Sequence, residues 1–134
     1  MVCNKKFIEV YNEFFKFIHK NLGYDKVVEF WKGIAPIILS DLKEKVATKG
    51  LLGCDEYWIY TLTKERAAFK TELTDNQFIL EIWDCPSIGH LEEPYEHYCN
   101  HCDVMYRAIF EPLGYDYKIK VLGAVLDVVF LVQT

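Results

Sequence analysis

The chain has 134 residues, of which 51% are hydrophobic, and a formal net charge of −5. This length and composition fit one packed domain, residues 1–134, and not a disordered segment. Because the lysines are scattered among acidic residues, nucleic acid is not expected as a partner. No stretch reaches the roughly 20 apolar residues that cross a bilayer, and the N-terminal sequence does not resemble a secretory signal. We therefore expect no membrane partner and a cytoplasmic location.

The first half of the chain is expected to be helical. Apolar residues recur at steps of three and four over residues 7–18, which predicts a first helix that ends at Gly23. A second helix is expected over residues 25–50, with a kink at Pro36, because proline removes a helical hydrogen bond. The pattern over residues 55–66 predicts a third, shorter helix.

The second half changes to a period of two. Alternating apolar residues at 69–73 and 78–82, joined by turn-forming residues, predict a β-hairpin. A fourth helix is expected over residues 94–113, followed by strands at 115–121 and 126–132. The last strand is nearly continuous in apolar residues, which predicts that both of its faces are covered. The order predicts an α+β fold in which N-terminal helices precede a strand-strand-helix-strand-strand unit, with an antiparallel sheet packed against helices.

Cysteine and histidine residues are concentrated in one segment. The chain has five cysteines, an odd number, which in the absence of an export signal favours reduced thiols over a disulfide framework. Three cysteines lie within eighteen residues together with three of the four histidines: Cys85, His90, His97, Cys99, His101 and Cys102. This cluster is the main chemical feature of the sequence.

One interpretation of the cluster is a metal site. On a regular fourth helix, Cys102 lies at the centre of the buried face and Cys99 lies about 60° to one side. His97 and His101 lie on the opposite flank, so these four side chains cannot all reach one ion. Cys99 and Cys102 can converge with Cys85, either as three thiolates or in a mixed set that includes His97. The expected ion is a transition metal such as zinc or iron.

Other interpretations stay open. Buried cysteines often act as small hydrophobic residues, and replacing Cys102 by serine is then expected to destabilise the fold. If the helix starts late, Cys99 lies in its first turn, where a lowered pKa would make its thiolate a catalytic nucleophile with His101 as proton carrier. Asp127 is a further catalytic candidate, because a carboxylate in an apolar strand needs a partner or a proton. Tyr98 and Tyr106 are expected either to line a ligand pocket or to belong to the core.

A family resemblance rests on the same segment. The Cys85-Pro86 turn after a strand and the helix start Tyr98-Cys99-x-x-x-Asp103 resemble the L-2-amino-thiazoline-4-carboxylic acid hydrolase-like family, mainly over residues 84–117. The resemblance implies hydrolysis of a carbon–nitrogen bond in a small sulfur-containing or cyclic-amidine substrate. The alternative is a non-enzymatic sensor module that binds a small ligand or a metal.

Two partners are expected. The aromatic content suggests a pocket for a small-molecule ligand, which either function requires. The apolar C-terminal strand and the many aromatic residues on a small surface predict a homodimer, since monomers seldom expose large apolar patches.

Overall fold

Four helices make up the N-terminal half of the protein. A computed structural model describes residues 4–122 and 127–134. The helices are α1 (Lys5–Leu22), α2 (Tyr24–Ile38), α3 (Ser40–Lys49) and α4 (Leu51–Lys64). The side chain of Asn4 caps α1 by accepting a hydrogen bond from the Phe7 main-chain nitrogen at 2.9 Å. Gly23, with a φ of 92°, ends α1 in a conformation that favours glycine.

Two helix boundaries differ from the sequence-based prediction. The predicted second helix is two helices, because the chain breaks at Leu39 instead of bending at Pro36. Pro36 lies in the last turn of α2 and has no N–H to donate to the preceding turn, which weakens the helix there. The third predicted helix begins earlier, at Leu51, directly after Gly50, whose φ is 62°. Glycine accepts that conformation, so one residue suffices to redirect the chain.

The sheet has four strands in the spatial order β1-β2-β4-β3, and each neighbouring pair is antiparallel. The strands are β1 (Ala68–Leu73), β2 (Gln77–Trp83), β3 (Asp116–Leu122) and β4 (Asp127–Gln133). Residue 126 of the predicted last strand lies outside the described residues. The structure confirms the predicted α+β fold, with helices packed on one face of this sheet.

One face of the sheet holds the core. Phe78, Leu80 and Ile82 alternate with less buried residues along β2, and Val128, Phe130 and Val132 do so along β4. The register places Ile82 opposite Val128 and Leu80 opposite Phe130, so these side chains form one apolar layer. The residues of β4 that point to the other face are only partly buried. The expectation that both faces of this strand are covered was therefore wrong.

The last helix, which corresponds to the fourth helix predicted over residues 94–113, is shorter than predicted. A short 3₁₀ turn at Ile88–His90 follows β2, and α5 runs from Asn100 to Phe110 before a 3₁₀ turn at Glu111–Leu113. Residues 96–99 form turns, and residues 94 and 95 have no regular secondary structure, where the first turns of the helix were predicted. Proline is compatible with the first turn of a helix, but it does not make a helix begin there. A helix starts where packing supports it. Here α5 packs against α2 and β3, which fixes the positions of the cysteines at its start.

No helix in the described ranges 4–122 and 127–134 has the length and apolar content required to cross a bilayer.

Candidate functional site

A partly enclosed cavity of about 80 Å³ lies between the helices and the core face of the sheet. A second cavity, of about 40 Å³, lies beside it. The two cavities share six wall residues: Ile82, Cys85, Tyr98, His101, Cys102 and Phe130. A single water molecule occupies roughly 10–15 Å³ on this measure, so the first cavity fits a ligand of only a few heavy atoms. Four residues of the shared wall belong to the cluster and the tyrosine pair that the sequence singled out.

Cys102 and His101 form a thiol–imidazole pair on this shared wall. The Sγ atom of Cys102 lies 3.7 Å from the Nε2 atom of His101. The other ring nitrogen, Nδ1, contacts the main-chain carbonyl oxygen of Tyr98. Because a carbonyl only accepts hydrogen bonds, Nδ1 carries the proton and Nε2 presents a lone pair to the thiol. The three groups are arranged as a nucleophile, a base and an orienting group.

Burial keeps the His101 ring neutral. Removal from water lowers the pKa of His101 below 6.5, although the hydrogen bond to the Tyr98 carbonyl partly opposes that shift. The ring lies among aromatic neighbours, with centroid distances of 4.7 Å to Tyr98 and 5.9 Å to Phe15. At neutral pH, Nε2 therefore presents a free lone pair to the Cys102 thiol.

Cys85 and Cys99 also reach the cavities, but Cys99 lacks the expected activation. Cys99 immediately precedes α5 and lines the second cavity, while Cys85 lines both. Burial, together with the nearby thiol of Cys85, raises the pKa of the Cys99 thiol above its usual value. The lowered pKa that a helix-start position predicts is thus not found, because removal from water disfavours the charged thiolate.

The structure separates His97 and Asp127 from the thiol–imidazole pair. The ring of His97 lies 4.7 Å from that of Tyr24 and 5.9 Å from that of His19, measured between centroids. Asp127 begins β4, where its Oδ1 accepts a hydrogen bond from the main-chain nitrogen of Asp84 at 3.2 Å. Neither His97 nor Asp127 lines either cavity.

Tyrosines and α4 complete the larger cavity. Tyr98 and Tyr106 both lie in its wall, which is where a predicted ligand pocket requires them. Sequence reasoning missed the contribution of α4, which adds Tyr57 and Thr61 to the wall. These two residues are four apart, and the same face carries the buried Trp58 and Leu62. Helical spacing could have placed them together, because residues four apart share a helix face.

Potential metal ligands assemble at a different place from the thiols. Within the described part of the chain, one group of three or more such residues has donor atoms all within 4.8 Å of one another, and it consists of His19, Glu96 and His97. The set of Cys85, Cys99 and Cys102 is not such a group. The side chain of His90 lies outside the described part of the protein. A metal bound by the three cysteines stays a prediction.

Comparison of the chain with protein-family models, with curated proteins and with solved structures finds no match.

Proposed function

We propose that this protein is a small-molecule hydrolase that opens a carbon–nitrogen bond of a cyclic amidine, with Cys102 as nucleophile and His101 as general base. The observation that carries the proposal is the 3.7 Å approach of Cys102 Sγ to His101 Nε2 on the wall of a ligand-sized cavity. The resemblance to the L-2-amino-thiazoline-4-carboxylic acid hydrolase-like family, over residues 84–117, supports the same reaction class. Cys102 takes the role that the sequence predicted for Cys99.

The proposed reaction has two halves. His101 Nε2 removes the thiol proton, and the Cys102 sulfur attacks the amidine carbon of the ring. The carbon–nitrogen bond breaks, and the imidazolium returns its proton to the departing nitrogen. A water molecule, deprotonated by the same Nε2 atom, then attacks the carbon that is bound to sulfur. The proton returns to the thiolate, so one water molecule is consumed and the enzyme is regenerated.

The charge of the cavity wall suggests the substrate class. Of the described residues that line the larger cavity, none is a lysine or an arginine, and Glu65 adds a carboxylate. His101 does not supply a cation, because burial lowers its pKa. A negatively charged ligand would lose its hydration in this cavity without gaining a counter-ion. A neutral amidine has no charge to remove from water, and a cationic amidine would have the Glu65 carboxylate as a counter-ion. We therefore expect 2-amino-2-thiazoline to be a better substrate than its 4-carboxylate.

The test is a turnover assay with both compounds, in which mass spectrometry detects the gain of one water. The wild-type protein is expected to open 2-amino-2-thiazoline, and Cys102→Ala is expected to abolish the reaction. His101→Ala should slow it by at least about 100-fold, the low end of the usual effect of a general base. Iodoacetamide labelling should modify Cys102 faster than Cys99 in the native protein, and His101→Ala should remove that difference.

Two outcomes would contradict this assignment. If Cys99→Ser abolishes turnover while Cys102→Ser retains it, the nucleophile is the one that the sequence predicted. If neither compound is opened but one of them binds, the chain is a binding module. The small, mainly aromatic and apolar cavity is the observation that favours this second candidate function. Calorimetry and the turnover assay on the wild-type protein separate the two functions, because a binding module binds the compound without opening it, whereas a hydrolase opens it and loses turnover in Cys102→Ala.

We also propose that the protein acts in the cytoplasm. Among the described residues, Cys54, Cys85, Cys99 and Cys102 form no disulfide bond, and reduced thiols persist in a reducing compartment. Fractionation of cells that express the full chain tests this location, and recovery from an oxidising compartment would contradict it.

We also propose that the protein forms a homodimer through the outer face of α1. Val10, Phe14 and Phe17 are 61%, 50% and 64% exposed and lie on one helical stripe. Along the charged flank of the stripe, Lys6 is followed by an acidic pair, Glu9 and Glu13, and then by a basic pair, Lys16 and Lys20. Antiparallel pairing of two copies would set the acidic pair of each against the basic pair of the other. The C-terminal strand offers no free edge for pairing with a second copy, because β4 is hydrogen-bonded to β2 on one side and to β3 on the other.

Sedimentation at micromolar concentration tests the dimer. The wild-type chain should sediment as a dimer, and Phe14→Glu should sediment as a monomer. The matched control is Ile37→Glu, an apolar position on α2 that is even more exposed than Phe14, at 74% against 50%, and this variant should remain dimeric. A monomeric wild-type chain would contradict the proposal.

A further inference from the structure

We propose that His19, Glu96 and His97 form a binding site for a divalent transition-metal ion such as Zn²⁺. His19 Nδ1 lies 3.9 Å from Glu96 Oε1, and His97 Nε2 lies 3.8 Å from the same oxygen. Two imidazoles and one carboxylate are the ligand set that zinc uses in sites that keep a fourth position open. The site differs from the thiol set that the sequence predicted, and His97 is the one residue common to both.

The fold brings these residues together through a buried asparagine. Asn12 lies on α1, only 3% exposed, and its Oδ1 accepts a hydrogen bond from the Tyr95 main-chain nitrogen at 2.7 Å. Its Nδ2 donates to the carbonyl oxygen of Glu93 at 2.9 Å. Asn12 and His19 are seven residues apart, so they lie on the same face of α1. By fixing the segment before α5 on this face, Asn12 sets Glu96 and His97 beside His19.

The distances are close to those of a bound ion. Zinc lies about 2.0–2.2 Å from nitrogen and oxygen ligands, which for tetrahedral angles separates two ligand atoms by about 3.4 Å. The two measured separations exceed this value by less than a bond length, so small side-chain rotations close the site. The three side chains are partly exposed, which leaves a path for the ion to enter.

Tyr95 completes the surroundings of the site. Its hydroxyl oxygen lies 2.6 Å from His19 Nδ1 and its ring lies 5.6 Å from that of His97. A metal ion on Nδ1 would displace this hydrogen bond, which places the Tyr95 hydroxyl next to the open fourth position. The hydroxyl is thus placed either to bind the ion or to orient a metal-bound water.

The site is independent of the proposed hydrolase reaction. None of its three ligands lines either cavity. The rings of Tyr24 and Trp31 lie between His97 and His101, with successive centroid distances of 4.7, 6.2 and 6.3 Å. A bound ion would tie α1 to the segment that leads into α5, and the reaction at Cys102 does not require it.

The experiment is titration of the reduced, full-length protein with Co²⁺ and Zn²⁺, followed by visible absorption and calorimetry. Bound Co²⁺ reports its ligands, because thiolate ligands add an intense near-ultraviolet charge-transfer band that nitrogen and oxygen ligands lack. We expect one ion per chain without that band. His97→Ala and His19→Ala should each weaken Zn²⁺ binding by at least about tenfold, and Glu96→Gln should act similarly. The matched control is Glu92→Gln, an exposed carboxylate in the same segment, which should bind as the wild type does.

Three results would overturn the proposal. They are the absence of saturable binding, a thiolate band that disappears in Cys99→Ser, and an equal loss of affinity in Glu92→Gln and Glu96→Gln. Circular dichroism of each metal-free variant shows whether it is folded. If His19→Ala unfolds, because it also loses its contact with Tyr95, His97→Ala alone decides the matter, and wild-type affinity in that variant would overturn the site.

Discussion

Two regions of the protein surround a cysteine in opposite ways. Cys54, in α4, is fully buried where α3 and α4 pack together, and burial raises the pKa of its thiol to about 12. Cys102, in α5, is half-buried, lines two cavities and has the imidazole of His101 at 3.7 Å. A dry, close-packed environment holds a thiol in its protonated form, whereas a cavity with a neutral imidazole offers the proton an acceptor. The environment of a cysteine, and not its presence alone, therefore decides whether its thiol has an acceptor for its proton.

The close packing of α3 and α4 yields the largest expected effect. A Cβ atom at Gly53 would lie 2.3 Å from the main-chain oxygen of Lys45, so Gly53→Ala must push the two helices apart. We expect this variant to lose about 3 kcal/mol of unfolding free energy. Gly33→Ala is the matched control, since Gly33 lies inside α2 with no atom near its Cβ position. It should gain up to about 1 kcal/mol, because alanine favours helices.

Urea denaturation of both variants measures these changes as shifts in midpoint. Equal stability of Gly53→Ala and the wild type would show that α3 and α4 do not approach as closely as the structure indicates.

Serine substitutions test the two cysteines directly. Cys54→Ser places a hydroxyl in a fully buried apolar site, which should cost about 1–3 kcal/mol. Cys102→Ser should cost less than about 1 kcal/mol, because the cavity leaves room and His101 Nε2 can accept from the new hydroxyl. The sequence predicted a large loss at Cys102, since it placed that residue at the centre of a packed face. Thermal melts of the two variants decide, and a larger loss at Cys102 would support the sequence-based prediction.

The pH dependence of stability tests the environment of His101. Its pKa is lower in the folded state than the 6.5 of an ordinary histidine, so below about pH 6.5 the unfolded chain binds a proton more readily. The stability that the neutral ring contributes is present above pH 6.5 and is lost as the pH falls toward the folded-state pKa. The loss is at most about 1.4 kcal/mol per pH unit. His101→Gln should flatten this dependence between pH 7 and 5, as measured by urea unfolding, and an unchanged slope would contradict the assignment.

Much of the fold followed from local sequence patterns. The steps of three and four in α1 and the alternation in β1, β2 and β3 placed these elements within a few residues of their observed bounds. The break at Leu39 and the late start of α5 did not follow, because tertiary packing decides whether a proline bends or divides a helix and where a helix begins. The prediction that both faces of β4 are covered failed for a similar reason. The apolar content of a strand does not reveal whether helices pack on one face of its sheet or on both.

The sequence predicted four of the six residues that the two cavities share, but not how these residues are arranged. A regular helix starting near residue 94 put Cys99 and His101 on different flanks. Because α5 starts at Asn100, Cys99 precedes the helix, and it lines the same cavity as His101 and Cys102. The cluster of His19 with Glu96 and His97 joins residues more than seventy positions apart, which no local pattern reveals.

Asp127 is a residue for which the sequence suggested catalysis, whereas the structure shows a structural contact. Its Oδ1 accepts the main-chain N–H of Asp84, a residue with a φ of 54° that directly precedes Cys85. Asp127→Ala removes the acceptor and should cost about 0.5–1.5 kcal/mol, while Asp127→Asn keeps an acceptor oxygen and should cost less. A structural role predicts that the asparagine variant retains the turnover proposed for Cys102 and that the alanine variant loses part of it, as the Cys85 segment loosens. A catalytic carboxylate predicts that both variants lose turnover equally while the asparagine variant stays as stable as the wild type. Melting temperatures and initial rates of the two variants, measured together, separate these outcomes, because only the structural role makes the loss of rate follow the loss of stability.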